Sequence, residues 1–142
     1  MQRVASARVR VGERVVGEIG AGLCVLLGVA REDGPAEAAR LAEKVARLRV
    51  FEDDGGRFDR SLLDSGCETL VVSQCTLLGD TKGRGGRPDF SAAASREEAE
   101  PLYEAFCGAL RALGVGVETG VFGARMALEL VNDGPVTIIL DV

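Results

Sequence analysis

Asn132-Asp133-Gly134-Pro135-Val136-Thr137 stands between two apolar runs near the C-terminus, and its reading decides how the last strands of the sheet are laid down. On either side, Met126-Ala127-Leu128-Glu129-Leu130-Val131 and Val136-Thr137-Ile138-Ile139-Leu140 have the composition of strands. The Asp-Gly pair between them therefore predicts a tight hairpin. Pro135 complicates that reading. A Gly-Pro bond reaches the cis form at a cost of only about 0.5–1 kcal/mol, and a native cis bond usually serves a specific need in a tight turn. The plain alternative is a turn with no active role.

Working outward, the 142-residue chain suits a single domain over residues 1–142, with no internal linker. A hydrophobic fraction of 46% with 27% charged residues is that of an ordinary soluble globular protein. No apolar run approaches the ~20 residues a membrane helix needs, so no membrane partner is expected. Met1-Gln2-Arg3-Val4 lacks a charged segment followed by an apolar one, so no signal peptide is read and cytoplasmic residence is expected. Cys24, Cys67, Cys75 and Cys107 lie far apart without a C-x-x-C pair, and most fall inside apolar runs, which predicts reduced core thiols. The chain has no histidine, which removes the commonest general base, the Ser-His and Cys-His pairs and the commonest zinc ligand together. A net charge of −5 excludes a broad nucleic-acid-coating surface but leaves room for a local basic patch.

From the N-terminus, Val4 to Val11 alternates, and Gly12-Glu13 turns the chain into Arg14-Val15-Val16-Gly17-Glu18-Ile19, a hairpin with one wet face. Leu23 to Val29 is continuously apolar, which predicts a central strand covered on both faces. Gly34-Pro35 opens a helix with Leu41, Val45 and Leu48 on its apolar side. Asp53-Asp54-Gly55-Gly56 is a turn, and Ser61 to Gly66 reads as an irregular connection. Thr69 to Leu78 begins as a buried strand and ends in a polar cluster, Ser73, Gln74 and Thr76, whose groups need partners. Lys82, Arg84 and Arg87 sit in a glycine-rich loop without the P-loop spacing, either a solvated loop or a contact for a phosphate backbone. Ser95 with Glu98 matches a capping box ahead of Leu102, Phe106, Leu110 and Leu113, although Pro101 allows a later start. Val115 to Phe122 resumes the strand pattern. About seven strands and two crossover helices follow, an α+β domain built on a mixed, largely antiparallel, barrel-like sheet with two packed helices. A long apolar C-terminal strand at an edge predicts a homodimer.

Two motifs carry a resemblance. Ser73-Gln74-Cys75-Thr76-Leu77 resembles the S-Q-F-T-L motif, and Asn132 to Thr137 resembles the N-x-G-P-x-T motif, of the D-aminoacyl-tRNA deacylases. Gln2-Arg3-Val4, Gly17-Glu18-Ile19-Gly20, Asp80-Thr81, Arg87-Pro88, Glu100-Pro101-Leu102-Tyr103 and Phe122-Gly123 extend the similarity along the chain. The resemblance implies a homodimer, with active sites at the subunit interface, that hydrolyses the ester of a D-amino acid, or of glycine mischarged on tRNA(Ala), on the terminal adenosine of a tRNA. It implies no metal and no cofactor. Ser73, Gln74, Cys75 and Thr76 would form the catalytic stretch, with the substrate's own 2′-hydroxyl assisting and backbone N–H groups near Cys75 and Thr76 holding the oxyanion. Thr76 is the alternative nucleophile, poorly activated without a neighbouring base. Gly134 and Pro135, joined by a cis bond, would enter the partner subunit's pocket and reject L side chains, with Arg3 holding them and Met126 forming a wall. The chain departs from the family in beginning a few residues late, in carrying Cys75 for phenylalanine, which loosens contact with the adenosine, and in a longer, glycine-richer loop at Lys82 to Arg87. The competing class is a non-catalytic tRNA-binding module that kept the fold.

Overall fold

The computed structural model describes residues 1–83 and 85–142. Its elements, in order, are β1 (Gln2–Val11), β2 (Arg14–Ile19), β3 (Gly22–Leu27), α1 (Pro35–Arg47), β4 (Phe51–Glu52), β5 (Phe58–Arg60), α2 (Leu62–Ser65), β6 (Glu68–Ser73), a 3-10 turn (Cys75–Leu78), α3 (Arg96–Ala112), β7 (Val117–Thr119) and β8 (Ala127–Thr137). The sheet runs β2-β1-β3-β6-β7, with β8 paired along the remaining edge of β1. β1 is antiparallel to β2, β3 and β8, whereas β3, β6 and β7 are mutually parallel, so the sheet is mixed. It curls until β2 meets β7: a Cβ at Gly17 would stand 2.5 Å from the Thr119 carbonyl oxygen. The sheet is thereby nearly closed into a barrel.

The apolar run of β3 is explained by its two covered faces. Leu23, Val25 and Leu27 pack with Ala42, Val45 and Ala46 of α1 and Phe106 and Leu110 of α3. Cys24, on the alternate face, joins Val4, Val9, Ile19, Leu70 and Val72 inside the curl. Each such large side chain contributes about 1.5–3 kcal/mol by leaving water. In β1 the buried apolar positions are Val4, Ala7 and Val9, a step of three followed by a step of two. The pairing of β1 with β8 shifts register between Val4 and Ser6, and that bulge carries the inward face onto the other parity.

The hairpin expected at Asn132 to Thr137 does not form. Residues 127–137 are one strand, antiparallel to β1 from Arg10↔Ala127 to Gln2↔Thr137, with irregularities where the Asp-Gly-Pro sequence falls. Local turn chemistry yields to ladder pairing along the whole of β1. The chain beyond Thr137 is no strand: Ile138 exchanges backbone hydrogen bonds with Met1, Ile138 and Leu140 pack on the helical core, and Ile139 is 87% exposed. The expected apolar edge strand at the terminus is thus replaced by a tail.

Smaller expectations also change. Ser61 to Gly66 is ordered as α2, capped by Ser61 and Asp64 and closed by Gly66 at φ +66. Helix α3 starts at its Ser95–Glu98 capping box, with Pro101 inside it, so the two reciprocal cap bonds outweigh proline's preference for a first turn. The strand expected over Val115 to Phe122 shrinks to β7. All four cysteines are free, but only Cys24 and Cys107 are buried; Cys67 is half-buried and Cys75 is exposed. Burial pushes the Cys24 thiol up to about 11, as befits an inert core group. Of the three loop cations, Arg84 lies outside the described residues. No described helix is long and apolar enough to cross a membrane.

Candidate functional site

β3 and β6 lie side by side in parallel and end together, Leu27 opposite Ser73. Gln74 N–H donates to the Leu27 carbonyl at 2.7 Å, and the chain then turns away into the 3-10 turn. Divergence of the chain beyond the carboxyl ends of parallel strands opens a crevice. Here it is a cleft of about 250 Å³. Its base is Leu27, Val29, Ser73, Gln74 and Cys75. Ala94, Ala99 and Tyr103 form one wall, and Phe122, Gly123, Ala124 and Met126 the other. Ala94 is drawn in by its N–H bond to the Val29 carbonyl at 2.9 Å. Met126 lies across Gly120, where a Cβ would meet its sulfur at 2.6 Å.

Thus the structure brings Ser73, Gln74, Cys75 and Met126 into one cleft, with Thr76 exposed on the next residue. The Thr76 hydroxyl is hydrogen-bonded to the Gln74 amide, a group that is no base in either orientation. Among the described residues, no carboxylate, lysine or arginine lines the cleft. Tyr103 has given its hydroxyl proton to a buried bond with the Val71 carbonyl at 2.7 Å, and burial pushes its ionisation further up. The cleft is lined mainly by apolar side chains with Ser73 and Gln74 among them, and the 3-10 turn that begins at Cys75 leaves its first N–H groups, those of Cys75 and Thr76, without an acceptor inside the turn.

A second constellation surrounds Arg3. Its side chain is among the few charged groups buried in the fold, at 5% residue exposure, and burial of a charge requires full pairing. Nη1 donates to the Val50 carbonyl at 2.9 Å, Nη2 to Glu52 Oε1 at 3.1 Å and Nε to the Asp133 carbonyl at 3.1 Å, while Phe58 lies 5.7 Å from the guanidinium carbon. The next residue, Gly134, is at φ +122, and a Cβ there would stand 2.9 Å from Val136 Cγ2 and 3.1 Å from Arg3 Nη2. Glycine is therefore required both by conformation and by space. The Gly134–Pro135 bond is cis, and both residues are exposed. A further cavity of about 260 Å³ lies beside them, lined by Arg3, Phe51, Glu52, Arg60, Ser65, Cys67 and Asp133.

Within one chain the two constellations stay apart: neither Gly134, Pro135 nor Arg3 lines the Ser73–Met126 cleft. Sequence reasoning did not place Tyr103, Phe122 and Gly123 in the cleft. Tyr103 hides in the apolar stripe of α3, and its one distinguishing signal is that it is the only tyrosine of the chain, a side chain that needs a partner when buried.

Comparison with known proteins agrees with this geometry. A family model described as D-Tyr-tRNA(Tyr) deacylase matches residues 1–141. A protein of Roseiflexus sp. (strain RS-1) named D-aminoacyl-tRNA deacylase is 61% identical over 141 residues, covering 99% of this chain and 90% of that one. A protein of the same name from Thermus aquaticus is 59% identical, with 99% and 92% covered. Among solved structures, one titled c-Myc DNA Unwinding Element Binding Protein superposes with a TM-score of 0.90 at 41% identity, covering 99% and 95% of the two chains. A probable eukaryotic D-amino acid tRNA deacylase shares the fold, with a TM-score of 0.87 at 20% identity over 99% and 96%. With a match from the first residue to residue 141 and such identity along nearly the whole of both chains, the chain belongs to the D-Tyr-tRNA(Tyr) deacylase family.

Proposed function

We propose that the protein hydrolyses the ester linking a D-amino acid, or glycine mischarged on tRNA(Ala), to the terminal adenosine of a tRNA, acting in the cytoplasm as a homodimer. The observation that carries this reading is a largely apolar cleft that begins at the Ser73–Cys75 strand end and has no base among the described residues that line it. Water adds to the ester carbonyl, the bond to the ribose oxygen breaks, and that oxygen takes up a proton, leaving free amino acid and tRNA. With no histidine in the chain and no carboxylate among the described residues of the cleft, the proton passes through the substrate's 2′-hydroxyl, and the protein supplies position and charge stabilisation. Ser73 and Gln74 set the base of the site, and the Cys75 and Thr76 N–H groups face the oxyanion. Thr76 acts by position, because a hydroxyl bonded to an amide has no base to activate it. Such a reaction needs neither metal nor cofactor.

Selection against L-amino acids falls to Gly134 and Pro135. They are exposed and do not line the cleft of their own chain, which supports their serving the cleft of the partner subunit, with Arg3 as their anchor and Met126 on the receiving wall. The deciding experiment is a deacylation assay on matched D-tyrosyl-, L-tyrosyl- and glycyl-tRNA. Release of D-tyrosine and glycine with L-tyrosine retained is the expected result, and equal hydrolysis of the D and L esters defeats it. The exposed Cys75 and the net charge of −5 favour a second reading, a tRNA-binding module without turnover, which tight binding with no release of amino acid would establish.

A further inference from the structure

We propose that Arg96 is a phosphate-binding residue at the rim of the cleft, holding a phosphodiester of the strand whose terminal ester the cleft receives; the inference rests on the deacylase reading. Among the described residues no cation lines the cleft, and the whole chain is acidic, so an anionic strand entering it must be met by charge placed locally at its mouth. Arg96 is so placed. Its guanidinium carbon lies 5.9 Å from the centre of the Phe122 ring. It also lies against Gly123, where a Cβ would come within 3.0 Å of Nη1 and 3.1 Å of Cζ. Phe122 and Gly123 are both walls of the cleft, as are Ala94 and Ala99 on either side of Arg96 in sequence. Gly123, at φ +75, thus leaves room for a flat guanidinium on the rim.

Helix stability does not account for an arginine at this position. Arg96 is the first residue of α3, the positive end of the helix macrodipole, where a cation is disfavoured. Among the described residues its one ion pair is with Glu100 at 3.6 Å, and the Arg96 side chain remains 66% exposed, so the pair is weak and open to exchange. A residue that breaks a local rule beside a cleft is of the kind functional sites retain. Stacked on Phe122, the guanidinium keeps its outer N–H edge free for solvent, and that planar fork matches two oxygens of a phosphodiester. The competing account is that the stacking only steadies the Phe122 wall.

The two accounts separate on substrates with and without phosphates. kcat/KM is measured for D-tyrosyl-tRNA and for 3′-O-D-tyrosyl-adenosine with the wild type, Arg96→Ala, Arg96→Lys and, as a charge control at the end of α1, Arg47→Ala. Arg96→Ala is expected to lower kcat/KM about tenfold more on the tRNA ester than on the adenosine ester, through KM. It should also reduce the slope of log(kcat/KM) against log salt by about one, with Arg96→Lys in between. Equal losses on both substrates, or a loss matched by Arg47→Ala, overturns the proposal while leaving the deacylase reading intact. A wild type that hydrolyses neither ester overturns both.

Discussion

A guanidinium as deeply placed as that of Arg3 is stable because each of its faces is used: Val50, Glu52 and Asp133 accept its protons, and Phe58 covers it. Two of those partners belong to the β4–β5 region and one adjoins Gly134, so a single side chain joins the N-terminal strand, a small hairpin and the exposed turn. Removing it leaves the buried Val50 carbonyl without a donor, at a cost of about 1–3 kcal/mol. Arg3→Ala is therefore expected to lower unfolding stability by that amount and to weaken discrimination between D- and L-tyrosyl-tRNA. Chemical denaturation reads the first effect and paired deacylation rates the second; a variant that loses stability but keeps full discrimination shows that Arg3 does not hold the turn. At this scale the sequence was legible where polar residues end an apolar strand, as at Ser73 and Gln74. It was silent where the decisive partner is a backbone carbonyl far along the chain, as for Tyr103 and Val71, 32 residues apart.

Among the elements, long periodic signals held and short ones did not. β3 reads as doubly covered because five consecutive apolar residues, Leu23 to Leu27, leave no wet face, and α1 starts at Pro35 because Gly34-Pro35 sets its first turn. The Asp-Gly turn signal failed because it competed with pairing along all of β1, and α2 was missed because four residues carry no periodicity. Its signal was the cap alone: Ser61 and Asp64 bond reciprocally, whereas at α1 the Glu37 carboxylate accepts from the Gly34 N–H and glycine has no side chain to return the bond. These bonds hold the Asp64 carboxyl, through the Ser61 N–H first, and the Glu37 carboxyl, through the Gly34 N–H first, below their ordinary range. A folded-state pKa below the unfolded one contributes stability that is present above the unfolded value and lost as pH falls through the folded value. Thermal melts should therefore show Tm declining below roughly pH 4. In Asp64→Asn and Glu37→Gln that decline should be shallower, and an unchanged slope in both would show that the caps do not couple to folding.

At the scale of the molecule, a curled sheet backed by two long helices leaves Gly134 and Pro135 outside the lining of their own chain's cleft. A partner subunit is expected on two grounds, the resemblance and an apolar C-terminal edge strand; that strand is a tail in the structure, so the resemblance is the ground that stands. If the turn serves the neighbouring cleft, the two functions can be inactivated in different chains and recovered together. Gly134→Ala displaces the turn, since φ +122 is strained for alanine and its Cβ meets Val136 and Arg3. Ala94→Trp fills the cleft from its wall. The Gly134→Ala homodimer is expected to hydrolyse both D- and L-tyrosyl-tRNA, and the Ala94→Trp homodimer neither. Co-expressed with different tags and purified through both, the mixed dimer holds one open cleft, on the Gly134→Ala chain, facing the intact turn of the other. It should hydrolyse the D ester and spare the L ester. Hydrolysis of both esters by the mixed dimer places the turn over its own chain's cleft instead, and failure to recover any doubly tagged species removes the dimer altogether.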